Sequence, residues 1–142
     1  MDPTQDLVSE EVISTEIFRA NNLSILEAIV RYLKDIKKYN FHEIGQLLQR
    51  DERNIWTIYH RAKKKQEKFS YGSKIEIYDV LIPLSIFHNK KLCVLEALSH
   101  FLKDIKNLTY HQIGLLLGRD ERNIWTVYHR AKKKLENESE NK

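Results

Sequence analysis

Leu23, Leu26, Ile29, Val30, Leu33 and Ile36 recur at three- and four-residue intervals in "NLSILEAIVRYLKDIK". That spacing gathers apolar side chains on one face of a helix. The pattern returns as Leu92, Leu95, Leu98, Phe101, Leu102 and Ile105 in "KLCVLEALSHFLKDIK". A second, short helix is predicted after each, from Asn40 in "NFHEIGQLL" and from Thr109 in "TYHQIGLLL". Asn40 with Glu43, and Thr109 with Gln112, have capping-box spacing, in which the two side chains satisfy each other's free backbone donors. A third helix begins near Asp51 or Asp120, each a good N-cap, and runs through a lysine triplet suited to the negative pole of the helix dipole.

Upstream of each trio the period changes. In "DVLIPLSIF", Val80, Ile82, Leu84 and Ile86 alternate with Leu81, Pro83, Ser85 and Phe87, which predicts a short strand that Pro83 confines to an edge. "EVISTEIF" occupies the corresponding place in the first half but is more polar. The two segments are expected to pair as a small antiparallel ribbon. The fold class expected is therefore mainly α: two tandem three-helix helix-turn-helix domains, each preceded by a short strand, together forming a single-chain pseudo-dimer. The expected boundaries are an acidic tail over 1–10, a first repeat over 11–68, a linker over 69–79, a second repeat over 80–137 and a tail over 138–142.

Sliding the sequence against itself by 69 residues aligns 23–68 with 92–137 without a gap, and 30 of the 46 pairs are identical. Two copies are a duplicated domain; a solenoid would need three or more to bury its core. The identity peaks in "RDERNIWTIYHRAKKK" (50–65) and "RDERNIWTVYHRAKKK" (119–134), which differ only at Ile58 and Val127. A duplication under pressure from core packing alone would preserve apolar residues. Here the charges, the tryptophan and the histidine are kept as well.

Advancing about 100° per residue along the third helix puts Val127, Tyr128, Ala131 and Leu135 on the side of Ile124, as a packing face. The opposite side collects Arg122, Thr126, His129, Arg130 and Lys133, with Asn123 and Trp125 on the flanks. Their counterparts are Arg53, Thr57, His60, Arg61 and Lys64, with Asn54 and Trp56 beside them. This is the chemistry of base reading: Arg can donate twice to guanine, Asn pairs bidentately with adenine, Glu accepts from cytosine, and Thr offers a hydroxyl, or a methyl contact to thymine. The base-reading candidates are Glu52, Arg53, Asn54, Trp56, Thr57 and His60, and Glu121, Arg122, Asn123, Trp125, Thr126 and His129. The phosphate candidates are Arg50, Arg61, Lys63, Lys64 and Lys65, and Arg119, Arg130, Lys132, Lys133 and Lys134, which would add affinity without sequence information. Bland uses compete for several of these: packing for the tryptophans, helix-end stabilisation for the glutamates and solvated helix ends for the lysines.

Charge sharpens the choice of partner. The net charge of +4 divides into −5 over residues 1–16, −2 over 136–142 and +11 over the body between. A basic body between acidic ends points to a polyanion, with double-stranded DNA ahead of an anionic membrane surface. No apolar run approaches the roughly 18 residues of a membrane span, and the acidic N-terminus does not resemble a secretory signal. A single cysteine, Cys93, suits a reducing compartment. No histidine pair has metal-ligand spacing, and no phosphate loop or catalytic triad is present, so neither a metal, a cofactor nor an enzymatic activity is expected.

"TYHQIGLLLGRDERNIWTVYHRAKKKL", residues 109–135, resembles the helix-turn-helix of sigma-factor region 4, a module that reads a promoter element. The matching positions are Thr109, Ile113, Gly114, Leu116, Leu117, Gly118, a polar cap at Asp120, Ile124, Arg130-Ala131 and a basic end with Leu135. Residues 40–66 match in the same register, except that Gln49 stands where Gly118 does. The family prefers a small or apolar residue where Arg50 and Arg119 stand and a polar one at Trp56 and Trp125. The resemblance implies base contacts from Glu52, Arg53 and Thr57, and from Glu121, Arg122 and Thr126.

The expectation is a sequence-specific double-stranded DNA-binding protein, a transcriptional regulator reading two similar half-sites. An inverted pair would lie about one helical turn, roughly 34 Å, apart, and a head-to-tail arrangement would call for a direct repeat. RNA polymerase or other transcription machinery is a further candidate partner, the expected location is the nucleoid in the cytoplasm, and the chain is expected as a monomer or weak homodimer. The rivals are an architectural or chromatin protein of weak sequence preference, a protein-binding adaptor and a viral DNA-packaging adaptor.

Overall fold

In the computed structural model, which describes residues 11–18, 22–66 and 79–140, strand β1 (Val12–Ser14) pairs antiparallel with β2 (Leu81–Pro83). The ribbon has a local twofold. Ile13 sits opposite Ile82, its own counterpart at the 69-residue offset, with Val12 opposite Pro83 and Ser14 opposite Leu81. The flanking hydrogen bonds are counterparts too: Thr15 N donates to Val80 O at 3.0 Å and Leu84 N to Glu11 O at 2.9 Å. Ile13 and Ile82 are fully buried, while Val12 and Leu81 on the other face are exposed.

The strands are shorter than the alternation predicts. After Ser14 and Pro83 the chain winds into 3-10 turns, Thr15–Phe18 and Leu84–His88. A 3-10 turn eclipses residues three apart, so Leu84 and Phe87 are buried together, as are Thr15 and Phe18. A continued strand would have turned Phe87 away from Leu84. The linker expected over 69–79 and the tail over 1–10 lie, Asp79 apart, outside the described residues.

The chain divides into two compact units, Met1–His88 and Asn89–Lys142. The ribbon and both 3-10 turns belong to the first. There, α1 (Ile25–Arg31) passes into a π-helical turn, Tyr32–Ile36, followed by α2 (Phe41–Leu48) and α3 (Glu52–Lys65). Both α1 and α2 pack on α3. Ser24 caps α1 in a box with Glu27, and Asn40 caps α2 in the expected box with Glu43, both arms at 2.8 Å. The core is Ile29, Val30, Leu33, Ile44, Leu48, Ile55 and Ala62, all fully buried. Two polar ties close the ribbon onto this trio. The hydroxyl of Tyr39 donates to Glu11 at 2.5 Å, a bond that with burial pushes its pKa up to about 12, and His88 Nε2 donates to Leu47 O at 2.8 Å.

The second unit repeats the trio as α4 (Val94–His100) with a π-helical turn over Phe101–Ile105, α5 (Tyr110–Leu117) and α6 (Glu121–Glu140). Both α4 and α5 pack on α6, around buried Leu98, Leu102, Ile113, Leu117, Ile124 and Ala131. The first helix of each trio departs from the periodic expectation at its end. Ile36 and Ile105 fall on the apolar stripe of a regular helix, yet they are 39% and 61% exposed. The wider π turn rotates them off that stripe. Lys38 and Asn107 then close the helices in the left-handed region, at φ 65° and 60°.

The left-handed cap before the third helix also differs between repeats. Gly118 adopts φ 66° without strain, whereas Gln49 is held at φ 54°. A side chain costs about 1 kcal/mol or more in this region. Gly118→Gln is therefore expected to destabilise by about 1 kcal/mol, and Gln49→Gly to stabilise by less than that, because glycine also loosens the unfolded chain. Urea midpoints of the two variants should move in opposite directions.

Glu27 and Glu96 are almost wholly buried on the first helix of each trio. Lys65 Nζ and Lys134 Nζ donate to them at 2.8 Å, and backbone N–H groups of Ser24 and Cys93 complete the set. Burial opposes ionisation most strongly, but the lysine and backbone hydrogen bonds together outweigh it and hold both carboxyls below their ordinary value of 4.5. Groups with a depressed folded pKa stabilise fully above the unfolded value and lose that contribution as pH falls through the folded one. Thermal stability should therefore fall on acidification below about pH 4.5, and a Glu27→Gln, Glu96→Gln variant should show a shallower acid limb.

Candidate nucleic-acid interface

The third helix of each unit begins at an aspartate. Asp51 Oδ1 accepts from Arg53 N, and Asp120 Oδ1 from Arg122 N, both at 2.8 Å. These caps bring the next side chains to the surface at the helix start, where N–H groups and the dipole face outward. Arg53 and Arg122 are 92% and 90% exposed. Each rests on the cap that precedes it, Arg53 Nε at 3.6 Å from Asp51 and Arg122 Nε at 3.3 Å from Asp120. The Arg122 hydrogen bond lowers the Asp120 pKa and in turn raises that of Arg122.

Glu52 and Glu121 are exposed and lie 3.7 Å from His42 Nδ1 and His111 Nδ1 on the preceding helix. Asn54 and Asn123 are exposed as well. One turn further on, Thr57 and Thr126 are exposed, and their hydroxyls donate to Arg53 O and Arg122 O at 3.0 and 3.1 Å. Trp56 and Trp125 are each 51% exposed. Their rings lie on His60 and His129 with centroids 3.9 and 4.0 Å apart. Because a carbonyl oxygen only accepts, the 2.9 Å contacts of His60 Nδ1 with Trp56 O and His129 Nδ1 with Trp125 O place the proton on Nδ1.

The packing face follows the helical-wheel expectation: Ile55, Ile58, Tyr59 and Ala62 are buried, as are Ile124, Val127, Tyr128 and Ala131, while Leu135 is half-buried. Arg61, Lys63 and Lys64, and Arg130, Lys132 and Lys133, are exposed. Arg50 and Arg119 are half-buried in the turn, and Arg119 Nε has no hydrogen-bond partner among the described residues. Lys65 and Lys134, grouped with the phosphate candidates, instead direct their ammonium groups inward to Glu27 and Glu96, and Arg130 Nε lies 4.0 Å from Glu96.

The sequence reading missed the polar groups that orient the third helix. In the first unit Arg31, buried, donates to Asp35 at 2.8 Å and to Gln66 O at 2.7 Å, and the Tyr59 hydroxyl donates to Asp35 at 2.8 Å. In the second, His100 stands in for Arg31, 3.1 Å from Asp104, and Tyr128 donates to Asp104 at 2.7 Å. Burial and that carboxylate push the Tyr128 pKa up to about 12. The signal was present: Glu27, Asp35, Tyr59 and Lys65 all recur at the 69-residue offset, and an acid on the apolar face of a helix calls for a partner.

The two outward faces are the same along the third helix and diverge on the second, where Gln46 corresponds to Leu115, a leucine 62% exposed. No helix among the described residues is long and apolar enough to cross a membrane. Comparison with protein-family models, curated proteins and solved structures finds no match to this chain.

Proposed function

We propose that the chain is a sequence-specific double-stranded DNA-binding protein, a transcriptional regulator carrying two helix-turn-helix reading heads akin to sigma-factor region 4. In each head α3 or α6 enters the major groove. The observation that carries this reading is the identity of the exposed face. Glu52, Arg53, Asn54, Trp56, Thr57 and His60 are repeated without change as Glu121, Arg122, Asn123, Trp125, Thr126 and His129, while the substitution from Ile58 to Val127 falls on the buried side. Core packing places no demand on exposed side chains, whereas two heads that read like half-sites do.

The first turn of each helix supplies the base-directed groups and the exposed Lys63, Lys64, Lys132 and Lys133 meet phosphates, in the division of labour common to major-groove helices. The +11 body also favours a second reading, an architectural protein of weak sequence preference. Selection from random duplexes separates the two. An enriched motif in two similar parts supports the regulator. Binding that depends steeply on salt but enriches nothing overturns it in favour of the architectural role.

A further inference from the structure

We infer that each head recognises a thymine by its 5-methyl group, with the methyl of Thr57 or Thr126 as the contact and the exposed ring of Trp56 or Trp125 enlarging the apolar surface around it. This rests on α3 and α6 being DNA-reading helices. A threonine can address a base as a hydrogen-bond donor, as an acceptor or through its methyl group. The donor is already committed in both heads: the one hydroxyl proton of Thr57 goes to Arg53 O at 3.0 Å and that of Thr126 to Arg122 O at 3.1 Å. Thymine O4 and guanine O6 and N7, which need a donor, would have to draw that proton away from the carbonyl, whereas the methyl group is engaged in no such bond.

The surroundings favour the methyl over the remaining lone pair. At about 100° per residue, Arg53, Trp56, Thr57 and His60 fall within a sector of roughly 100°. Trp56 is half-exposed, and its ring is held against His60 at 3.9 Å, with His60 itself tied to Trp56 O. Trp125 and His129 repeat the arrangement at 4.0 Å. The half-exposed indole lies in the same outward sector of the helix as the threonine and adds apolar area to it. In the major groove, thymine is the base that presents a methyl group.

The test uses the full chain and the duplex it enriches from a random pool, with each thymine replaced in turn by deoxyuridine, which removes the methyl alone. One position per half-site should be sensitive, each losing about 3- to 5-fold in affinity, the range for one buried methyl. Thr57→Val with Thr126→Val keeps the methyl and discards the hydroxyl, so the discrimination between thymine and uracil should persist. Thr57→Ser with Thr126→Ser should bind the thymine and uracil duplexes alike. Both positions are exposed, so neither pair disturbs the core, and circular dichroism checks that. An enriched duplex with no uracil-sensitive position, or discrimination kept by Ser and lost by Val, overturns the inference while leaving DNA reading intact. Absence of any enriched duplex overturns both.

Discussion

Replacing Arg53 and Arg122 together with alanine is expected to abolish preference for the selected duplex while leaving the fold unchanged. Each guanidinium is about nine-tenths exposed and contacts only its own N-cap aspartate among the described polar partners, so the core gains no cavity and loses no buried partner. A good bidentate arginine contact to guanine discriminates by about 10- to 100-fold against the wrong base. Two such losses on one duplex multiply when the heads act independently. The expected result is a fall of about two to four orders of magnitude in affinity for the enriched site, with unrelated duplexes hardly affected and the melting temperature constant. Lys63→Ala with Lys132→Ala is the contrasting pair: it should weaken all duplexes alike and reduce the salt dependence of binding. Titrations of enriched and scrambled duplexes at two salt concentrations measure both. Unchanged affinity in the arginine pair would transfer the exposed face to a protein partner.

Much of this arrangement was legible because the duplication prints each signal twice. The capping boxes at Asn40 and Thr109, the aspartate caps and the buried stripe from Ile124 to Ala131 are local, and local rules placed them correctly. The ribbon was legible as a pair of apolar segments, since either alone would leave an unpaired edge. What escaped depends on geometry that a fixed period does not encode. Ile36 and Ile105 left the core because the helix widens into a π turn. Lys65 and Lys134 read as ends of solvated triplets until Glu27 and Glu96, 38 residues earlier, are brought beneath them. The threonine hydroxyls are the subtlest case. Sequence offers donor, acceptor and methyl alike, and the structure shows the first engaged by the carbonyl four residues back.

Gly114→Ala should destabilise the second unit by about 1–3 kcal/mol, although helix propensity alone predicts the opposite. Alanine is favoured over glycine by about 1 kcal/mol within a helix, and Gly114 lies inside α5. A Cβ there, however, would stand 2.6 Å from Arg119 O, a main-chain atom with no side-chain torsion to relieve the contact. The same approach recurs at Gly45, where the oxygen of Arg50 would lie at 2.7 Å. Both glycines also accept the hydrogen bond that folds the turn back, from Arg119 N at 2.9 Å and Arg50 N at 2.8 Å. Relief thus requires the backbone between α5 and α6 to move outward, which strains that bond and swings the start of α6, where Arg122 and Thr126 stand. Urea denaturation should show the loss of stability, and the affinity of the variant for the enriched duplex should fall even below its melting temperature. Gly118→Ala supplies the comparison, since its Cβ meets nothing within 4 Å and its cost of about 1 kcal/mol arises from the left-handed φ alone. A Gly114→Ala protein more stable than the parent would mean that the turn yields freely and does not fix the angle at which α6 is presented.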